Sequence, residues 1–246
     1  MMNRRTLLRH LGLSSAALCL PAAAEDLRRV GSGPGSADPD KGAASHWARL
    51  KFKIVDPDWK MDWRAHPGGD MRLVRAINLV TTANLQEQWN VVDVENLAEL
   101  IRLPFIFAHG QVEPDFSEQA RKNLAEYLAR GGFLLVDDCV KTEHQPDVFF
   151  QSMKMLLPEL LPGSRWEPLG PDHPVFHCHY DLPNGQPHIQ GRNHGAFGLM
   201  HRNRMVTYLT ASDLHCGWVA AGWFDGKVEE DSLRMGVNIY VYAMTQ

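Results

Sequence analysis

Residues 104–138 read PFIFAHGQVEPDFSEQARKNLAEYLARGGFLLVDD, and this stretch decides the predicted fold. It opens with Pro104–Ala108, an apolar run typical of a strand that is covered on both faces of a parallel sheet. Ser117 is placed to cap an amphipathic helix, and Gly131 is placed to end it. The run Phe133–Val136 follows at once. A strand, a helix and a strand within about thirty residues predict a βαβ unit with two parallel strands.

The alternation of strands and helices continues on both sides of this unit. Segments whose pattern predicts strands are 49–55, 91–94, 175–182, 196–200 and 205–209, and those that predict helices are 71–80, 97–101, 149–157 and 233–244. This order predicts an α/β domain with a doubly wound, mainly parallel sheet, helices on both faces and a β-rich C-terminal elaboration.

Composition and charge narrow the class of protein. The chain has 246 residues, of which 44% are hydrophobic and 22% charged, and its mean hydropathy is −0.29. These values are typical of a globular domain and argue against a disordered or multi-span membrane chain. With 25 basic and 29 acidic residues, the formal net charge is −4. The chain therefore lacks the basic surface that nucleic-acid binding needs, and nucleic acid is not an expected partner.

The first residues have the pattern of an export signal. Arg4 and Arg5 precede a mildly apolar stretch that ends in small residues at Ala24, a pattern that predicts a twin-arginine signal peptide over residues 1–24. The expected partner during export is the twin-arginine translocase, and the expected location is periplasmic or secreted. The apolar stretch is too short for a membrane anchor, so no transmembrane span is expected in the mature protein. Residues 25–45 are rich in Gly, Ser and Pro and predict a flexible linker before a domain at 46–246.

Six stretches occur along the chain in this order: Trp47–Phe52, Pro104–Gly110, Gly131–Asp138, Asp172–Phe176, Ser212–Asp213 with Gly217–Trp218, and Gly236–Ile239. Together they resemble the family known as domain of unknown function 4159. The resemblance implies a fold similar to the class I glutamine amidotransferases, with a flavodoxin-like sheet. It implies no established activity.

Polar residues that follow apolar strands are the candidates for a site, because ligands of open α/β sheets bind beyond the carboxyl ends of the strands. His109 follows one strand, Asp137 and Asp138 end the next, and Asp213 follows a third. Adjacent carboxylates repel, which raises one pKa and permits shared-proton chemistry or cation binding. In the alternative reading, Asp137 caps the next turn and Asp138 accepts a hydrogen bond from a neighbouring loop.

Cysteine chemistry is not expected at this edge of the sheet. Cys139 stands between Asp138 and Val140 and lacks the flanking glycines of a nucleophile elbow, which argues against a glutaminase. Its expected role is packing. The exported chain would hold three cysteines, an odd number, so at least one should stay outside any intramolecular disulfide.

Histidines concentrate in the C-terminal half of the chain. If 175–182 is a strand, His177 and His179 lie on one face and could bind a divalent metal, and His215 with Cys216 could add ligands. The familiar zinc-site spacings are absent.

Two functions remain open at this point. The first is an exported domain that binds a small molecule or performs metal-assisted hydrolysis through His109, Asp137, Asp138 and Asp213. The second is a non-catalytic interaction module, with an exported protein as partner, that uses an amidotransferase-like scaffold without the Cys nucleophile.

Overall fold

The computed structural model describes residues 44–59, 62–140, 142–219 and 222–246. Residues 1–43, which hold the predicted export signal and almost all of the predicted linker, lie outside the described residues.

The described residues form a mixed α/β domain with nine strands, six helices and one short 3₁₀ helix. The strands are β1 (Arg49–Lys51), β2 (Lys53–Ile54), β3 (Val91–Asp93), β4 (Phe105–Gly110), β5 (Pro114–Asp115), β6 (Phe133–Asp138), β7 (Arg165–Leu169), β8 (Ala196–His201) and β9 (Arg204–Thr210). The helices are α1 (Pro67–Val80), α2 (Leu97–Leu100), α3 (Glu118–Ala129), α4 (Val148–Leu160), α5 (Leu214–Val219) and α6 (Gly226–Thr245), and the 3₁₀ helix is Pro174–Phe176.

Seven strands form the central sheet in the order β3-β1-β4-β6-β9-β8-β7. The first five are parallel, whereas β8 and β7 are antiparallel and extend one edge as a β-rich addition. The predicted βαβ unit is confirmed, because β4 and β6 pair in parallel through helix α3. Ser117 caps that helix by accepting a hydrogen bond from Ala120 N (3.0 Å), and Gly131 follows it with a φ of 99°.

A separate hydrophobic cluster covers each face of the sheet. Along β4, Phe107 belongs to a cluster with α1, α5 and α6, whereas Ile106 and Ala108 belong to a cluster with α2, α3 and α4. Side chains of successive strand residues point to opposite faces, so a strand covered on both faces is apolar throughout. The same alternation decides on which face each polar residue at a strand end lies.

The strand predicted at 175–182 is wrong. This segment begins with the 3₁₀ helix and continues as turns and irregular backbone. Pro174 fixes its own φ near the helical value and His173 accepts a hydrogen bond from Val175 N (3.2 Å), so the local geometry favours a tight turn. The strand predicted at 49–55 divides in two, because β2 leaves β1 to pair with β5. Strand β7 and helix α5 were not predicted from the sequence.

Candidate functional site

His109 and Asp137 lie side by side at the carboxyl ends of β4 and β6. The two residues are register partners in this parallel pair, and both are fully buried. Both lie on the face that α5 covers: the His109 ring stands 4.4 Å from the His215 ring, and Asp137 Oδ2 accepts a hydrogen bond from His215 N (2.9 Å). The structure therefore brings together two of the four side chains that the sequence singles out at the strand ends.

The Asp138 side chain lies on the face of the sheet opposite to that of His109 and Asp137. Its Oδ2 accepts a hydrogen bond from Phe150 N (2.7 Å), in the first turn of α4. Burial raises the pKa of Asp138 to about 8 despite this bond. Because consecutive strand residues point to opposite faces, the two aspartates do not form one carboxylate pair, and Asp138 binds the first turn of helix α4 rather than a neighbouring loop.

Asp213 joins the first two residues from the loop after β9. Its φ of 53° is in the left-handed region, which aspartate tolerates better than most residues. Asp213 Oδ2 accepts a hydrogen bond from Gln190 Nε2 (2.5 Å), whereas Oδ1 has no hydrogen-bond partner among the described residues. Burial raises the pKa of Asp213, and burial together with the nearby Asp213 carboxyl raises the pKa of Asp137 well above its usual range.

His109, Cys139 and Asp213 form a compact cluster of metal-ligating groups. One ligand atom from each of the three residues lies within 4.8 Å of the other two, and all three residues are buried. Gln111 Nε2 donates a hydrogen bond to Cys139 Sγ (3.2 Å), and Cys216 Sγ stands 3.8 Å from Cys139 Sγ. The packing role that the sequence predicts for Cys139 follows from the absence of a nucleophile elbow, which excludes a nucleophile but not a metal ligand. The position of Cys139 directly after a strand end was the signal for a role as a ligand.

The His109 imidazole is neutral and has no hydrogen-bond partner among the described residues. Neither ring nitrogen bonds to any described residue, although the ring is fully buried. Burial, the neighbouring His215 ring and the Arg49 charge lower the pKa of His109 well below its usual range. A neutral imidazole with a lone pair is the form that binds a metal ion.

A buried ion-pair network next to the cluster was not predicted from the sequence. Arg49 and Asp70 are both fully buried and form a bidentate salt bridge, and Trp47 Nε1 donates to Asp70 Oδ2 (3.0 Å). Burial opposes the charge on Asp70, but Arg49 and His215 outweigh it and lower the pKa of Asp70 to about 2. The alternation of polar and apolar residues in 49–55 is typical of a strand with one buried face, but Arg49 is fully buried because helices cover both faces of the sheet here.

His215 connects this network to the cluster. Its Nε2 lies 2.9 Å from Arg49 Nη2 and 3.2 Å from Asp70 Oδ1, and its Nδ1 has no partner among the described residues. Burial and the Arg49 guanidinium lower the pKa of His215 to about 4, so the imidazole is neutral at physiological pH.

The two predicted metal ligands of the C-terminal half lie outside this cluster. His177 follows the 3₁₀ helix, and both of its ring nitrogens are engaged, with Asp181 Oδ1 (2.6 Å) and Pro171 O (2.8 Å). His179 lines a surface cavity of about 440 Å³ together with Thr81 and Tyr240. With no strand in this segment, the geometric reason for pairing His177 with His179 no longer holds.

Among the described residues no disulfide is formed, and Cys139, Cys178 and Cys216 are all present as thiols. Within the same part of the chain, the search for membrane-spanning helices found none with the necessary length and apolar character.

The fold and the strand-end cluster define an α/β domain with a buried His-Cys-Asp constellation. Residues 46–244 match the model of the family described as Domain of unknown function (DUF4159), so the chain belongs to this family. A search of the curated proteins found none that matches the chain.

Proposed function

We propose that this protein binds a divalent transition-metal ion through His109, Cys139 and Asp213 and uses it for metal-assisted hydrolysis of a small substrate. The observation that carries the proposal is the cluster itself, in which three ligand atoms of different residues lie within 4.8 Å of one another. A nitrogen, a sulfur and an oxygen ligand suit zinc and similar ions better than magnesium or calcium, which prefer oxygen alone. Three protein ligands leave one coordination position open for water or substrate, as in catalytic zinc sites.

The neighbouring residues supply the rest of the chemistry. A metal ion at this position would lower the pKa of a bound water and polarise a carbonyl group. Asp137 is fully buried, and burial together with the Asp213 carboxyl raises its pKa well above the usual range, which favours the protonated form. In this proposal Asp137 is the proton donor to the leaving group.

The order of the strands supports a ligand site at this edge. Counted along the chain, the parallel strands β1, β3, β4, β6 and β9 have the spatial order 2-1-3-4-5, which is that of the doubly wound flavodoxin-like sheet. In such sheets ligands bind beyond the carboxyl ends next to the point where the order reverses, here between β1 and β4. His109 ends β4. The proposed fold is accordingly flavodoxin-like and similar to the class I glutamine amidotransferases, without their nucleophile elbow.

Export through the twin-arginine translocase is the second part of the proposal. Its support is the pair Arg4-Arg5 before a mildly apolar stretch with small residues at its end. Replacement of both arginines by lysine in the full chain should leave the protein in the cytoplasm, whereas the natural sequence should reach the periplasm. Equal periplasmic amounts of the two proteins after cell fractionation would refute this route.

One observation favours the alternative of a non-catalytic module. The side chains of His109, Asp137 and Asp213 are all fully buried, and neither described cavity is lined by any of them. A metal ion in such a place could be structural and hold three strand ends together, with an exported protein as the binding partner. A metal-loaded protein that shows no hydrolysis of esters, amides or phosphoesters would support this second function.

The test of the metal site is spectroscopic. Cobalt(II) added to the metal-free protein should give a thiolate charge-transfer band and a titration endpoint of about one ion per chain. Cys139→Ser should lose the band. Cys178→Ser is the matched control, because Cys178 contacts Asn238 O and not the cluster, and it should keep the band. Absence of the band in the natural protein, or its loss in both variants, would contradict the proposed site.

A further inference from the structure

Gln111 lies directly beyond the end of strand β4 and contacts the cluster. The residue is buried, with 6% of its surface exposed, and its Nε2 donates a hydrogen bond to Cys139 Sγ (3.2 Å). The backbone also ties this position to Cys139, whose N–H donates to Gly110 O (3.0 Å). The strand end that supplies His109 as a ligand therefore also supplies a donor to the sulfur of Cys139.

Trp59 fixes the orientation of the Gln111 amide. Its indole Nε1 donates a hydrogen bond to Gln111 Oε1 (3.0 Å). An indole N–H group has no acceptor, so the group that faces it must be the amide oxygen and not the amide NH2. The NH2 group of Gln111 is then left to face Cys139. Because a sulfur atom can accept a hydrogen bond as a thiol and as a thiolate, this arrangement does not depend on the charge of Cys139.

The amide donor suits a sulfur atom that binds a metal ion. Metal ions bind the thiolate form of cysteine, which has several lone pairs and no proton. An N–H group can satisfy one of the lone pairs that the metal leaves unused, and a neutral amide adds no charge that would repel the ion. Hydrogen-bond partners of this kind orient metal ligands, and their loss typically lowers metal affinity by about 10–100-fold.

A second glutamine makes the same kind of contact with another ligand of the cluster. Gln190 Nε2 donates to Asp213 Oδ2 (2.5 Å), whereas Asp213 Oδ1 has no hydrogen-bond partner among the described residues. The bond holds one carboxylate oxygen and leaves the other for a metal ion. Two of the three proposed ligands thus accept a hydrogen bond from a neutral side-chain amide. Gln111 is in turn held by a residue at the surface, since Trp59 is 38% exposed.

We propose that Gln111 is a positioning residue of the metal site. Its N–H···S hydrogen bond holds Cys139 Sγ toward the cluster and weakens the electron donation from the bound sulfur to the metal ion. Trp59 keeps the amide in the orientation that this bond requires. A change at the surface position of Trp59 is thereby transmitted to the metal ion. This inference rests on the proposed function, although the two hydrogen bonds themselves do not.

The two hydrogen bonds can be measured without any metal. Nitrogen-15 NMR of the metal-free full chain should show a Gln111 NH2 signal, assigned by its absence in Gln111→Leu, that moves in Cys139→Ala. The indole N–H signal of Trp59, assigned by its absence in Trp59→Phe, should move in Gln111→Leu. A Gln111 signal that is unchanged in Cys139→Ala would overturn the inference, whatever the result of the metal titration.

Two variants disturb the donor to the sulfur in different ways. Gln111→Leu deletes the amide, and Trp59→Phe keeps an aromatic ring but no longer holds the amide oxygen. In cobalt-loaded Gln111→Leu the thiolate band should move to longer wavelength, because a sulfur without its N–H partner gives up electron density more easily. The cobalt affinity should fall by about 10–100-fold. Trp59→Phe should change both quantities in the same direction and by less, because its Gln111 side chain can still reach the sulfur.

The controls carry the same substitutions outside the cluster. Gln119→Leu changes a glutamine that bonds Asn123 on helix α3, and Trp89→Phe changes a tryptophan that is 37% exposed, so neither should alter the band or the affinity. A Gln111→Leu protein whose band does not move would refute the positioning role, even if its melting temperature falls. If this variant does not fold, an unmoved band in Trp59→Phe would refute the role instead. A natural protein that gives no cobalt band would refute the metal site and with it this role, and would leave the NMR result for the hydrogen bonds standing.

Discussion

At the scale of single residues, the ion pair between Arg49 and Asp70 is the buried salt bridge that lies beside the site and contacts His215. Both side chains are fully buried and hydrogen-bonded to each other. Removing one member of such a pair leaves an uncompensated charge in a medium that solvates it poorly. The pair therefore supports the fold and, through His215, the arrangement of the cluster.

Asp70→Asn should lower the free energy of unfolding by about 3–5 kcal/mol, because the Arg49 charge would stay buried without its counter-ion. Denaturant unfolding measures this quantity. The matched control is Asp93→Asn, since Asp93 pairs with Lys51 at the surface, where an ion pair contributes about 0–1 kcal/mol. Similar small losses in the two variants would show that the buried pair is not needed for stability.

The same aspartate should make the protein sensitive to acid. The pKa of Asp70 is about 2 in the folded protein, below the value of about 3.9 expected in the unfolded chain. The unfolded state then binds more protons, so the stability from Asp70 is complete above about pH 4 and is lost as the pH falls toward 2. Unfolding measured between pH 2 and pH 6 should show this loss in the natural protein, and Asp70→Asn should lack that component. Parallel pH curves for the two proteins would contradict it.

Some of these residues could be predicted from the sequence and others could not. His109, Asp137 and Asp213 follow apolar strands, and that local pattern is enough to place them at one edge of the sheet. The partnership of Arg49 with Asp70 spans 21 residues and two elements, and no local pattern encodes it. Asp138 differs from Asp137 only by one step along a strand, and that step moves its side chain to the other face.

At the scale of elements, the beginning of helix α4 depends on Asp138. The first N–H groups of a helix have no partner within the helix, and Asp138 Oδ2 satisfies that of Phe150. Asp147, the residue before the helix, makes no capping bond with its side chain. The carboxyl group of Asp138 on β6 therefore has the role that a local capping side chain usually has.

Asp138→Ala should lower the free energy of unfolding by about 1–2 kcal/mol, a typical effect for the loss of a helix cap. Cobalt binding should remain, because Asp138 lies on the face opposite to His109 and Asp213. Thermal or denaturant unfolding and the cobalt titration together check the prediction. An Asp138→Ala variant that keeps its stability and no longer binds cobalt would contradict this prediction and would show that Asp138 belongs to the metal site.

The helices could be predicted from the sequence more accurately than the irregular backbone of the C-terminal half. Helix α6 is confirmed and begins earlier than expected, at Gly226, where Asp225 caps it through Lys227 N (2.9 Å). In contrast, the residue pattern of 175–182 is typical of a strand, but Pro174 and the His173 side chain favour a turn there. Short patterns of this kind are decided by the local cap and by contacts with helix α6, for example Tyr180 N with Asn238 Oδ1 (2.8 Å).

At the scale of the whole molecule, the predicted α/β architecture is confirmed as a mainly parallel seven-stranded sheet with an antiparallel edge. The βαβ pattern at 104–138 was sufficient to predict this architecture. Two apolar strands that flank an amphipathic helix can bury their apolar surfaces in few other arrangements. The order of the strands could not be predicted, since it depends on which distant segments bury each other. The position of β7 at the far edge is an example.

The central claim is that the three strand ends gather His109, Cys139 and Asp213 around one metal ion. X-ray absorption at the zinc edge of the zinc-loaded full chain tests it most directly. We predict one sulfur neighbour at about 2.3 Å together with nitrogen and oxygen neighbours at about 2.0–2.2 Å, and loss of the sulfur in Cys139→Ser. A coordination shell without sulfur, or one that is unchanged in Cys139→Ser, would contradict the claim.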